Sequence, residues 1–394
     1  MMLTRGEGRG GGWGLAPCAA FIAASAVLAG CGSSSSSSTS GGTSGSGSTV
    51  SPGVAKADKE VASLSATTAK YPLPATSVSG VSKFKGRTVY YIPLVQQIPG
   101  FVVTAQTMKQ ALARAGLSLQ VCNGQGQPSA IAACVQQAAG AKAAGIITDA
   151  IPYGMAGNAF NAAKAKGVPI IIADQIAPAS TTNTDRVTYV PGVVDQPSQI
   201  AWWMIADSKG NANAIIAEEA DSPSSVAYVS NSLPIYRKYC PDCKITVKTI
   251  TATTNSLLAS ATSSNILAAP SASYYYTEFE DSLQPTVQGI QQSARSGMSL
   301  SVAGGSVNGL GLLKGNSVVK AVVVVDQAYA GWALTDEILR MMTKSGPVAE
   351  AFPSRLFTKQ NIGSIPVTPA AQASGQWFGS TSFESDFAKL WGVG

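Results

Sequence analysis

The sequence predicts an α/β protein of two lobes, each a parallel sheet flanked by helices, with a cleft between the lobes. Three observations carry this. Short apolar runs rich in β-branched residues, of which Val168 to Ala173 is the clearest, alternate with helical patterns. The alternation occurs twice, from about Arg87 to Asp174 and from about Gln196 to Lys344. Carboxylates or amides stand where several runs stop, as Asp174 and Gln175 do, and open parallel sheets hold ligands beyond the carboxyl ends of their strands.

In order, Thr88 to Ile92 reads as a strand. Phe101, Ala105, Met108, Leu112 and Ala115 then recur at helical spacing until Gly116. Leu117 to Val121 is a second strand. Pro128 suits a first helical turn, with Ile131, Val135 and Ala138 on one face, and Gly145 to Thr148 follows as a strand. Ala156 to Lys166 makes a helix that Gly167 ends before the central run. After a polar passage from Pro178 to Asp185, the series continues with a helix at Gln196 to Ser208 and a strand at Asn213 to Ala217. A helix at Ser224 to Tyr239 and a strand at Ile245 to Ile250 come next. Ser273 to Thr277, Leu300 to Ala303 and Lys320 to Val325 are further strands. Helices are expected at Gln284 to Ser296 and Tyr329 to Lys344, with Gly346 and Pro347 closing the last.

A chain of 394 residues, 45% hydrophobic and only 12% charged, is long enough for two domains with sizeable cores. It contains no histidine, which removes Ser-His and Cys-His nucleophile pairs and histidine-ligated metals; an enzyme is not expected. The charge of +6 is modest and no basic run accompanies it, so nucleic acid is not an expected partner. Gly124-Gln125-Gly126 follows a strand, but Ser129 stands where a dinucleotide fingerprint has its third glycine, so no nucleotide cofactor is expected.

Arg5 and Arg9 precede an apolar, small-residue segment from Trp13 to Leu28, the pattern of an export signal over residues 1–30. Leu28-Ala29-Gly30-Cys31 resembles the lipobox of bacterial lipoproteins, which implies lipidation of Cys31 and anchoring at the outer face of a membrane. Without Arg5, Arg9 and Glu7, 25 basic and 20 acidic side chains of the 27 and 21 remain. Residues 31–53 are the lipidated cysteine and a Ser/Gly leash too polar to fold; residues 54–83 form an extension in which Lys56 to Leu64 is able to make a short helix. In an exported protein, Cys240-Pro241-Asp242-Cys243 reads as a structural disulfide rather than a redox or zinc motif. Cys122 and Cys134 would then form the other pair, closing a short loop.

From about Phe84 onward the chain resembles the type I periplasmic binding proteins of the sugar-binding class. The resemblance rests on Pro99-Gly100-Phe101, Ala173-Asp174-Gln175, Phe279-Glu280-Asp281, Val325-Asp326-Gln327 leading to Gly331-Trp332, and Leu390-Trp391-Gly392, in that order. It implies lobe one over 84–188, with part of 327–350 returning to it, and lobe two over 189–326, with 351–394 crossing back. It also implies a monomer that delivers a small polar ligand, first a sugar or polyol, to an ABC permease. The alternatives are a module reporting to a membrane kinase or chemoreceptor, and a carrier of an amine or other cationic nutrient.

By position, Gln96, Gln97 and Phe101 stand where the family has polar side chains and an aromatic ring against the ligand, although Phe101 also fits the core stripe of its helix. Asp174 matches a family carboxylate, and Gln175 replaces a frequent arginine. Ser225 falls where ribose-type members carry arginine and Gly304 near a family aspartate, which leaves the sugar open. Lobe two is acidic where its strands end, at Glu218, Glu219 and Asp221, at Glu278, Glu280 and Asp281 beside Phe279, and at Asp326. Each acid alone is a common solvated loop charge. Together they suit a polyhydroxylated or a cationic ligand.

Overall fold

The computed structural model describes residues 51–192, 194–251, 256–315, 318–348 and 350–393. The export signal, Cys31 and the Ser/Gly leash lie outside the described residues.

A first helix, α1 (Pro52–Ser65), is capped by Ser51, whose side chain accepts from the Val54 amide. Five strands then build one sheet: β1 (Thr88–Pro93), β2 (Ser118–Val121), β3 (Gly145–Asp149), β4 (Ile170–Ala173) and β5 (Val187–Val190). Their order is β2-β1-β3-β4-β5 and every pairing is parallel. Every residue of β3 and β4 is buried, because helices cover both faces and alternate side chains enter different cores. Tyr90, Ile92, Ile146, Ile170 and Ile172 face α3 (Pro128–Gly140) and α4 (Gly157–Ala165). Val89, Tyr91, Ile147 and Ile171 face α2 (Pro99–Arg114) and a helix that arrives from much later in the chain.

The second sheet contains β6 (Asn213–Glu219), β7 (Lys244–Ile250), β8 (Tyr274–Thr277), β9 (Ser299–Val302), β10 (Val319–Val325) and β11 (Ser354–Thr358) in the order β11-β10-β9-β8-β6-β7. Only β11 runs antiparallel to its neighbour. One face packs on α5 (Gln196–Asp207), α6 (Pro223–Tyr239) and α1; the other packs on α7 (Leu258–Ala268), α8 (Leu283–Gln292) and α9 (Val307–Lys314).

The long helix α10 (Gln327–Thr343) leaves β10 and lies in lobe one against α2. Gly331 permits this approach: a methyl group there would meet Thr107 Oγ1 and the backbone of Thr104 and Met108. After β11 the chain adds α11 (Pro369–Ala373) and returns to lobe one as α12 (Phe383–Leu390), whose Phe383 and Phe387 stack around Tyr329 and Trp332. The segment that was open in the sequence is built into both lobes: α1 packs in lobe two, while Tyr71, Val78 and Val81 enter the core of lobe one.

Several elements depart from the expectation. β5, α7, α9, β11, α11 and α12 are absent from the sequence reading. β5 follows a polar passage and has only four residues, so its pairing with β4, not its own pattern, makes it a strand. Cys122–Cys134 and Cys240–Cys243 are both joined, with Cα separations of 5.8 Å and 5.3 Å.

Candidate functional site

The carboxyl ends of β3 and β4 carry two acids side by side. In the parallel register Asp149 pairs with Ala173, so Asp174, one residue further, stands next to it. Tyr91 on the adjacent β1 donates its hydroxyl to Asp149 Oδ2 at 2.6 Å. Asp149 Oδ1 and Asp174 Oδ1 are both buried with no protein donor, and the two carboxyls face each other in hydrogen-bonding contact. Burial raises the pKa of both, and the neighbouring Asp149 raises Asp174 further, well above the usual carboxylate range. Asp174 also sits in the left-handed backbone region at φ 55°, a conformation an aspartate tolerates but does not prefer.

Lobe two meets this edge directly. Tyr228 of α6 donates to the Asp174 carbonyl at 2.7 Å. Ser224 donates to Gln175 Oε1 at 3.0 Å and accepts from the Ile176 amide at 3.0 Å. Gln175 completes the contact by donating to the Asp174 carbonyl at 2.8 Å. The lobes are therefore in contact through the loop after β4 and the first turns of α6. Ser225, one residue beyond Ser224, turns the other way: its amide and hydroxyl are held by Ser222 in the cap of α6.

Behind Tyr228 lie the acids of lobe two. Glu278, at the end of β8, accepts the Glu219 amide at 2.8 Å through Oε2, while its Oε1 is buried without a partner. Glu219 accepts from Ser282 at 2.6 Å. Burial pushes Glu278 up to about 9 and Glu219 up to about 8, the latter helped by Asp281. Tyr228 is itself shifted upward by burial and by Asp174, Glu278 and Asp149, which places those acids around its ring from both lobes.

The remaining expected residues divide. Phe101 is buried at the start of α2 yet stands outside the cluster formed by Val103, Met108 and Leu112 of the same helix. Gln96 and Gln97 are exposed in the preceding loop, and Glu218 and Phe279 are half-buried. Asp281 is exposed. Glu280 Oε1 is occupied by the Ser306 and Gly309 amides, at 2.9 and 2.6 Å, at the N-terminus of α9. Asp326 caps α10 by accepting from the Tyr329 amide at 3.0 Å and also accepts from Tyr71 at 3.0 Å; burial raises it to about 7. Asp149, Tyr91, Ser224 and Tyr228 were not among the expected residues. The signal available for Asp149 was a second acid ending a strand of the same sheet as Asp174. Gln327, which accepts from Thr104 at 2.7 Å and lies against Gly100, brings an amide to the base of α2.

A cavity of about 520 Å³ opens beside the cluster, where the segments joining the lobes cross; Tyr189, Gln196, Gln199, Glu350 and Phe352 are among its walls. Its volume falls within the usual range for small-ligand sites. Gly192 lines it, and a side chain there would strike Phe352 and come within 2.9 Å of Asp174 Oδ1, so the cavity adjoins the acid pair rather than containing it.

No protein-family model matches the chain, and no curated protein matches it. Among solved structures, a 5-methylthioribose transporter solute-binding protein from Thermotoga lettingae superposes with a TM-score of 0.64 at 15% identity, over 78% of this chain and 98% of that one. A glucose-galactose binding protein from Geobacillus stearothermophilus gives 0.63 at 17% identity over 70% and 99% of the two chains. An ABC transporter solute-binding protein from Agrobacterium vitis with bound allitol gives 0.61 at 14% identity over 71% and 98%. The chain therefore has the two-lobed fold of type I periplasmic binding proteins, the architecture of these sugar ABC transporter solute-binding proteins.

Proposed function

We propose that the protein is an extracytoplasmic solute-binding protein, tethered to a membrane through lipidated Cys31, that captures a small polar ligand of the sugar or polyol class and presents it to an ABC permease. The observation that carries this is the meeting of Asp149 and Asp174 from one lobe with Tyr228 and Glu278 from the other, at facing strand ends where several buried polar atoms lack protein partners. Hydroxyls of a polyol supply the donors those oxygens lack, and we assign Phe101, buried outside the core at the start of α2, to an apolar ring face, with Gln96 and Gln97 exposed in the loop before it. Closure follows from contact with both lobes, since a ligand held by both binds the closed arrangement more tightly than the open one. We read the site as one that binds its ligand without turnover.

Native mass spectrometry tests this reading. Protein purified without denaturation is expected to carry a small polar molecule, and Asp174→Asn, which tolerates the left-handed backbone, is expected to weaken its retention roughly ten- to hundredfold, the worth of one charge-assisted hydrogen bond. Retention unchanged by the substitution would exclude Asp174 from the site.

A further inference from the structure

The cluster around Tyr228 has an unusual balance of charge. It contains Asp149, Asp174 and Glu278, with Glu219 beyond Glu278, and among the described residues none of these four acids forms an ion pair with a lysine or arginine. The other titratable groups facing it are phenols or further acids: Tyr91 from β1, Tyr228 from α6, Tyr276 from β8, and Glu218, Asp221 and Asp281 from the strand ends of lobe two. Two polar atoms on one face at the end of β8 are buried with no partner, Tyr276 Oη and Glu278 Oε1, on residues 1% exposed, whereas Thr277 Oγ1 belongs to the opposite face of the strand. Unpaired buried polar atoms are costly, and a carboxyl oxygen left so at a strand end can accept from a ligand's donor.

The charge balance says what that donor is. A neutral hydroxyl is bound best by an ionised carboxylate, but ionising these acids together, with no cation among them, sets like charges against one another in a poorly solvated site. A neutral sugar brings nothing to offset that repulsion. An ammonium group offsets it and supplies up to three donors for oxygens that have none. We propose that the ligand carries a protonated amine, so that its class is a small polyhydroxylated amine such as an amino sugar, with Asp174 and Glu278, the acids on either side of Tyr228, as the amine's partners. This rests on the solute-binding reading above and specifies the ligand of that same cleft. On binding, the ammonium enters with its charge, the Glu278 carboxyl gives up its proton to solvent, and N–H···O bonds form to the acids that lack donors.

Calorimetric titration with D-glucosamine, D-glucose and D-allose, between about pH 5.5 and 7 in buffers of different ionisation enthalpy, tests the proposal. D-Glucosamine is expected to bind at least tenfold more tightly than either neutral sugar. It should release about one proton per molecule bound, with affinity rising with pH. Glu278→Gln is expected to weaken D-glucosamine at least tenfold more than it weakens either neutral sugar, so that most of the preference is lost. Equal or tighter binding of a neutral sugar without proton release would overturn the amine and leave the solute-binding reading standing. Binding of none of the three would overturn the amino-sugar assignment, and if no co-purifying molecule is found either, the solute-binding reading falls with it.

Discussion

At the residue scale, the site is governed by how acids at strand ends are satisfied. Glu280 and Asp326 are supplied with backbone donors at helix starts, whereas Glu278 Oε1 and the facing oxygens of Asp149 and Asp174 are not. The difference has a consequence for stability. A carboxyl whose folded pKa is raised stabilises the fold, relative to its ionised form, only while protonated. That stability is fully present below the unfolded value and is lost as pH rises through the folded one. For Glu278 the window runs from about 4.5 to about 9, with Glu219 losing its share by about 8. The melting temperature of the unliganded protein is therefore expected to fall from about pH 5 to 9, with a slope of at most about 1.4 kcal/mol per pH unit for each such group. Glu278→Gln should flatten that slope; an unchanged slope in a melting series across this range would mean that Glu278 is ionised throughout. The same contrast explains what was legible in the sequence. Asp174 could be found because a long apolar run ends on it. Asp149 could not be paired with it without the register of β3 on β4, and an acid between a strand and a helix reads the same whether it binds a ligand or caps the helix. Ser225 and Ser224 differ by one position, about 100° around a helix, which no approximate alignment resolves.

At the element scale, α10 joins the lobes and carries the most demanding internal chemistry. Asp336 and Arg340 form an ion pair with both side chains wholly buried, at 2.5 Å. The pair is made tolerable by further bonds: Arg340 donates to the Thr76 carbonyl at 2.6 Å, and Trp391 of the C-terminal segment donates to Asp336 at 2.6 Å. This helix therefore clasps the N-terminal extension and the C-terminus together on lobe one. Arg340→Leu leaves Asp336 buried and unpaired and is expected to cost about 3–5 kcal/mol in denaturant unfolding. A loss below about 1 kcal/mol would mean that the pair is not buried as described. The long helices and the β-branched strands were legible because each presents its own period. β5, α7, α9 and β11 were not, because four to eleven residues are too short to present a period of their own and acquire their structure from neighbours distant in sequence.

At the scale of the whole molecule, the chain passes between the lobes after β5, at Asp326–Gln327, between α10 and β11 and again before α12, and the extension from α1 to Tyr71 adds another link. The direct contacts of Tyr228 and Ser224 with the loop after β4 hold the lobes together at one edge of the cleft. Those few hydrogen bonds are the ones a ligand would reinforce on closing and the ones that must open for it to leave. The central claim is that the lobes close on a solute held by acids from both. Small-angle scattering tests it most directly, using protein stripped of bound solute and then given back the molecule recovered from native purification. A smaller radius of gyration on addition, absent in Asp174→Asn at the same concentration, is the predicted result. An unchanged radius with saturating solute would contradict it.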